Sequence, residues 1–454
     1  MRSQAPTRAQ QQQFITIFAA TRTCSERNDA PVCRSNFHTP SIDETAMVSV
    51  ISAAIKRPAL LLASVLLVLL SACGGGGHAT SPGNGNGPAT GHSYQPPANI
   101  GDGWTVSDAG SQGLPVQRLE DMMDAISRGE YPIIDLIAIA SRGMLVFDET
   151  VRTQLDDKDS WVDNADLSMH AQFSASKSIA SILVGIAIDL GYISGVDAPY
   201  LSLFDYPSYD NWDERKHQIT LDHVLAMRLG LQWDEWSVPY GDPNNAVVRF
   251  FNQHHDYSKG LLDLPMETDP GTRFAYNTIA SVSLGQAIQN RSPLTCVDFL
   301  QAYLLNPLGI TRINWVETPT GLPDLGGGLY LYGRDMLKFG QMYLDDGRWN
   351  GQQIVSSAWV AASIQAYTEL AWTEPDTMDW KVDGYGYQWW TGHFEHDGQA
   401  LNSFAARGWG QQTVMVVPDL ELVVAVNSND YDGRPDGVNH VFRLIDRFIL
   451  PATQ

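Results

Sequence analysis

Strand-forming sequence lies near the two ends of the structured part of this chain, with a long helical stretch between, which leaves few ways to fold it. IIDLIAIAS (133–141) and MLVFDE (144–149) flank Arg142-Gly143 and read as a β-hairpin. Near the other end, TVMVVPDLELVVAVNS (413–428) gives two strands around Pro418-Asp419. The middle carries helical periodicity: Ser178 to Leu190 ending at Gly191, Leu221 to Met227, Ala280 to Gln289, and Thr295 to Leu305. Pro115 to Ser127 adds an amphipathic helix, and VNHVFRLIDRFIL closes the chain with Val438, Val441, Leu444, Ile445 and Phe448 on one face. These patterns predict an α+β fold: an antiparallel sheet built from both chain ends with flanking helices, plus a mostly helical inserted region.

The first hundred residues predict processing rather than folding. Residues 59–70 (ALLLASVLLVLL) form an apolar run too short for a comfortable membrane span, preceded by Lys56-Arg57 and followed by Leu70-Ser71-Ala72-Cys73. A basic flank, a short apolar run and small residues make a secretory signal peptide. LSAC resembles the bacterial lipobox, in which the cysteine is lipidated and becomes the mature N-terminus. The expected organisation is therefore an over-long N-terminus at 1–46, a lipoprotein signal peptide at 47–72, a flexible Gly/Pro/Ser/Asn-rich tether at 73–100 and a catalytic domain at 101–454. The implied location is the bacterial cell envelope, with Cys73 anchoring the protein to the membrane on its periplasmic side. Only Cys296 then remains, so no internal disulfide is expected. A net charge of −22 argues against nucleic acid as a partner.

One segment has the pattern of nucleophilic catalysis. In QFSASKSIASILVGIAIDLG, Ser174 and Lys177 stand three residues apart at the start of a helix and share one face. A serine needs a base beside it, and a lysine serves only if burial or nearby positive potential lowers its pKa. The apolar run after Lys177 implies a buried helix, and the helix start supplies positive potential that also steadies an oxyanion. No G-x-S-x-G elbow occurs, which disfavours the α/β-hydrolase arrangement.

FSASKSIAS resembles the S-x-x-K element of class C β-lactamases, penicillin-binding proteins and related esterases and amidases. DPGTRFAYNTIASVSLGQAI resembles that family's P-G-T-x-x-x-Tyr element, and FAARGWGQQTVMVVPDLELVVAV its third element, a strand with a glycine bordering the site. The resemblance covers roughly residues 100–450 and is nearest in character to the esterase and 6-aminohexanoate-dimer hydrolase branches. It implies a β-lactamase/transpeptidase-like fold and an acyl-enzyme mechanism. Ser174 would be the nucleophile, Lys177 and Tyr276 its proton relay, and the backbone N–H groups of Ser174 and Trp409 the oxyanion hole. Gly408, Thr278, Asn277, Tyr240 and Trp236 are expected around the pocket, the last two from the loop WDEWSVPYGDPNN (233–245).

Two departures bear on substrate. Thr278 stands where the second motif usually has Asn, and Ala406-Arg407-Gly408 where lactamases have Lys-Thr-Gly. Arg407, one position off, is expected on the other face of its strand. The expected substrate is thus a small ester or amide. The alternatives are a true β-lactamase or D-alanyl-D-alanine carboxypeptidase, or a non-catalytic envelope lipoprotein that binds peptidoglycan or a protein. Neither cofactor nor metal is expected. His254-His255 and His393-x-x-His396 lack a third ligand, and the calcium-like Ser428 to Gly433 run lacks its closing Glu.

Overall fold

A computed structural model of the chain describes residues 91–152, 169–370, 379–396, 398–433 and 438–450. The expected signal peptide, Cys73 and the first part of the expected tether lie outside these residues.

The hairpin forms as the sequence predicts, with β1 at Ile134–Ser141 and β2 at Met144–Thr150. Arg142 and Gly143 at its tip both adopt positive φ, 50° and 77°, the turn geometry that suits the twist of paired strands. The remaining strands of the main sheet are β3 (Thr368–Glu369), β4 (Trp380–Tyr385), β5 (Trp390–His396), β6 (Gln399–Gly408), β7 (Gln412–Val417) and β8 (Leu422–Ser428). Their spatial order is β2-β1-β8-β7-β6-β5-β4-β3, with every neighbour antiparallel. The first and last segments of the domain thus meet at the β1–β8 pair. The α+β expectation holds.

β1, β7 and β8 are buried along their whole length, because helices cover both faces. One cover is α4 (Gly333–Leu344), which packs on β7 and β8 at Gly340. A Cβ built there would lie 2.5 Å from Val423 Cγ1 and 2.8 Å from Val414 Cγ1, so only glycine allows this approach. On the other face, α1 (Val116–Ser127) and the C-terminal helix (His440–Leu444, continuing as a π-turn to Ile449) close the layer. Phe442 packs there on Trp380, with ring centroids 5.0 Å apart.

The inserted region holds α2 (Ser176–Asp189) and α3 (Thr278–Arg291), both starting earlier than periodicity predicts, by two residues each. Their first turns carry the polar functional residues, which interrupt the apolar pattern. Part of the stretch expected as tether is packed. Tyr94 is buried, donates to Val146 O (2.9 Å) and accepts from Ala109 N–H (2.8 Å), so the chain is already docked on the hairpin before residue 101.

Candidate active site

Ser174 lies in a short 3-10 turn, Phe173–Ala175, that leads directly into α2. Phe173 has φ 44°, a left-handed conformation that costs an aromatic residue energy and must be held by its surroundings. Edge-on contacts with Trp409 (5.3 Å) and Tyr431 (5.5 Å) hold it. The end of β6 passes against this turn. A Cβ on Gly408 would sit 2.3 Å from Gln172 O and 3.2 Å from Ala175 N, so glycine is required for the strand to come this close.

Lys177, in the first turn of α2, is 1% exposed. Three groups surround its ammonium nitrogen: Ser174 Oγ at 2.9 Å, Thr278 Oγ1 at 3.0 Å and Gly326 O at 2.5 Å. Burial pushes its pKa down to about 8, against the pull of the Glu235 and Asp324 carboxylates, which favour the charged form. Asp324 Oδ1 accepts from the N–H groups of Gly326 (2.8 Å) and Gly327 (3.1 Å), which pins the turn that aims Gly326 O at Lys177.

Tyr276, 6% exposed, precedes α3 and packs against both Trp236 (5.0 Å, 24°) and Trp390 (5.9 Å, 28°), whose own ring centroids are 6.5 Å apart. Ser174 lies close enough to its phenol to favour the ionised form, and Lys177 Nζ lies 5.0 Å from its ring centroid. Ser174 is therefore the group that both Lys177 and Tyr276 reach. Burial, and secondarily the Glu235 charge, raise the Tyr276 pKa, which keeps the phenol protonated at neutral pH. Arg407 lies over the rings of Trp380, Trp390 and Phe442, and its charge still acts on the Tyr276 phenol, so it is not turned wholly away from the site.

The other expected residues separate into two groups. Thr278, Tyr240, Trp236, Gly408 and Trp409 gather around the site; Tyr240 packs against Trp409 with ring centroids 5.8 Å apart. Asn277 does not belong with them. It is the N-cap of α3, its side chain accepting from Ala280 N–H at 3.1 Å, and its backbone N–H faces Met227 Sδ at 3.3 Å. One residue along, Thr278 takes the place facing Lys177.

Of the two carboxylates, sequence reasoning placed Glu235 only as part of the 233–245 loop that could wall the pocket, and it missed Asp324. Glu235 is 3% exposed and accepts from Thr278 N–H (2.7 Å), Thr278 Oγ1–H (2.5 Å), Tyr240 O–H (2.8 Å) and Trp233 Nε1–H (3.1 Å). Nothing in the loop sequence separates it from Asp234, whose side chain caps the turn at Trp236 and Ser237. Asp324 had a signal, the triplet Gly326-Gly327-Gly328 that follows it, which marks close backbone approach. A cavity of about 730 Å³ adjoins the site beyond Trp236 and Tyr276; neither Ser174 nor Lys177 lines it. Among the described residues no His/Cys/Asp/Glu cluster could hold a metal. His254 Nδ1 bonds Phe250 O, His393 pairs with Asp383, and Asp430 accepts from Gln411.

The Beta-lactamase family profile matches residues 135–445, more than half of the chain and the whole of the site just described. The chain belongs to the beta-lactamase family. It is 28% identical over 244 residues to a 6-aminohexanoate-dimer hydrolase from Paenarthrobacter ureafaciens, a match covering 49% of this chain and 57% of that relative. The match thus spans little more than half of that relative's length. Among solved structures, EstCE1, a hydrolase with promiscuous acyltransferase activity, aligns with TM-score 0.54 at 15% identity, covering 76% of this chain and 99% of that one. A family VIII carboxylesterase aligns with TM-score 0.50 at 14% identity, covering 73% and 96%. At such identities these structures bear on the fold, which is β-lactamase/transpeptidase-like.

Proposed function

We propose that this protein is a serine hydrolase that cleaves an ester or amide through an acyl-enzyme on Ser174. The observation that carries the reading is the 2.9 Å contact between Ser174 Oγ and a fully buried Lys177 whose pKa is lowered to about 8. Near neutral pH a useful fraction of that amine is unprotonated and can act as a base. Lys177 takes the Ser174 proton as Oγ bonds to the substrate carbonyl carbon. The N–H groups of Ser174 and Trp409 hold the resulting oxyanion. As the leaving group departs, the Tyr276 phenol gives it a proton and recovers one from Lys177. Water then attacks the acyl-enzyme by the same steps in reverse, releasing the acid and restoring Ser174.

Substrate class follows from the third motif. Ala406, buried beside Gly408, offers no cation for a substrate carboxylate, and a missing charge-assisted hydrogen bond removes about 1.5–3 kcal/mol of binding, one to two decades. Arg407 is stacked on three rings. The surroundings of Ser174 are aromatic, from Phe173, Trp236, Tyr240, Trp390 and Trp409, which suits an uncharged acyl group. Turnover of p-nitrophenyl acetate or butyrate, a linear amide dimer and a chromogenic cephalosporin should rank the ester or amide first in kcat/KM. A cephalosporin with by far the highest value would make Arg407 the carboxylate grip and overturn this substrate assignment.

We also propose export and anchoring through lipidated Cys73, supported by the LSAC sequence and the Gly-rich stretch after it. The three acyl chains typical of such lipoproteins would hold a protein stably at a membrane, where one chain binds only reversibly. Mass spectrometry of the mature N-terminus should find lipid on Cys73; an unmodified terminus created elsewhere refutes the anchor.

A further inference from the structure

We infer that Glu235 is a positioning residue for the reaction proposed above: through Thr278 it fixes the direction of the hydrogen bonds around Lys177, so that the lone pair of the free amine faces Ser174. The inference rests on Ser174 being the nucleophile.

The number of N–H donors on Lys177 sets these directions. An unprotonated lysine has two N–H bonds and one lone pair, and Lys177 has three neighbours. Gly326 O can only accept, which uses one N–H. A threonine hydroxyl can either donate or accept, so Thr278 alone would leave the second direction open. Glu235 closes it. Its two oxygens take the Thr278 N–H (2.7 Å) and the Thr278 O–H (2.5 Å), a two-point clamp on one residue. With its only proton given to Glu235, Thr278 Oγ1 must accept from Lys177, which uses the second N–H. The lone pair is left for Ser174, 2.9 Å away. An Asn at position 278 would present a side-chain oxygen that accepts without help; here a Thr and a buried Glu together do what that oxygen would do alone.

Glu235→Gln gives a specific outcome because the site is not symmetric. The Oε2 position faces two N–H donors, Thr278 N and Trp233 Nε1, so the amide oxygen must settle there. The amide NH2 then faces Thr278 Oγ1 and Tyr240. It donates to Thr278, whose O–H turns toward Lys177 and competes with Ser174 for the lone pair. The expected loss in kcat/KM for an aryl ester is on the order of a hundredfold.

Three groups that carry or can gain negative charge act on this lysine: the carboxylates of Glu235 and Asp324, and the Tyr276 phenol, itself influenced by Arg407. The base is the unprotonated amine, so kcat/KM should rise about tenfold per pH unit up to about pH 8 and then level. Glu235 favours the charged amine, so its neutralisation should move that limb to lower pH while the plateau falls.

The test compares the full chain with Glu235→Gln, Thr278→Val and the double variant, with thermal unfolding to confirm each fold. Thr278→Val removes the misdirecting hydroxyl, so the double variant should be at least as active as Glu235→Gln alone. Additive losses, or a Glu235→Gln profile unchanged in height and position, overturn the inference. If Glu235→Gln does not fold, Thr278→Ser and Thr278→Val decide. The serine should stay within a few-fold of the parent and the valine should not; equal activities overturn the inference. An unaltered protein that turns over no ester and takes no serine-reactive label instead removes the proposed function itself.

Discussion

Ser174→Ala should lower ester turnover by about five to six decades, the scale seen when a hydrolase loses its nucleophile, leaving only what oxyanion binding contributes. The fold should survive. The hydroxyl is half-buried, and removing one side of a hydrogen bond there costs on the order of 1 kcal/mol. A variant that melts near the parent and hydrolyses nothing separates chemistry from stability. Undiminished hydrolysis would place the nucleophile elsewhere.

The second large effect concerns the relay. Lys177→Ala and Tyr276→Phe should each lower turnover about a hundredfold or more, and the double variant should be little worse than the poorer single one. Both groups converge on Ser174 Oγ, and each needs the other to complete a proton cycle. Fully additive losses would assign them separate roles. Tyr276→Phe is the cleaner probe. The ring keeps its stacking on Trp236 and Trp390 and loses only the phenol oxygen, so melting should change little. Lys177→Ala opens a hole in the first turn of a helix buried from Ser176 to Ala187, and some loss of stability is expected with it.

Of the strands from the two chain ends, β1, β7 and β8 were legible because they lie inside the sheet. Covered on both faces, β1, β7 and β8 read as unbroken apolar runs. β4 and β5 went unread. They lie toward the far edge, and WKVDGY and WTGHFEH alternate charged, aromatic and glycine residues without an apolar run. α4 was missed for a related reason: Gly333, Gly340, Arg334 and Lys338 break its apolar face, although Gly340 is what lets it sit on the sheet.

In the site, Ser174, Lys177 and Tyr276 could be picked from spacing and resemblance. The role of Glu235 could not. Glu235 acts across 43 residues on Thr278, and neither partner carries a local pattern that announces the other. Asn277 shows the opposite failure. Its position beside Tyr276 suggested the pocket, while its chemistry, a short side chain just before a helix, is that of an N-cap.

The most direct test is to label the protein with a serine-reactive phosphonate and map the modified peptide by mass spectrometry. One phosphonate on Ser174, absent from the Ser174→Ala variant and slowed in Lys177→Ala, is the expected result. Label on any other serine, or stoichiometric labelling that persists without Ser174, would contradict it.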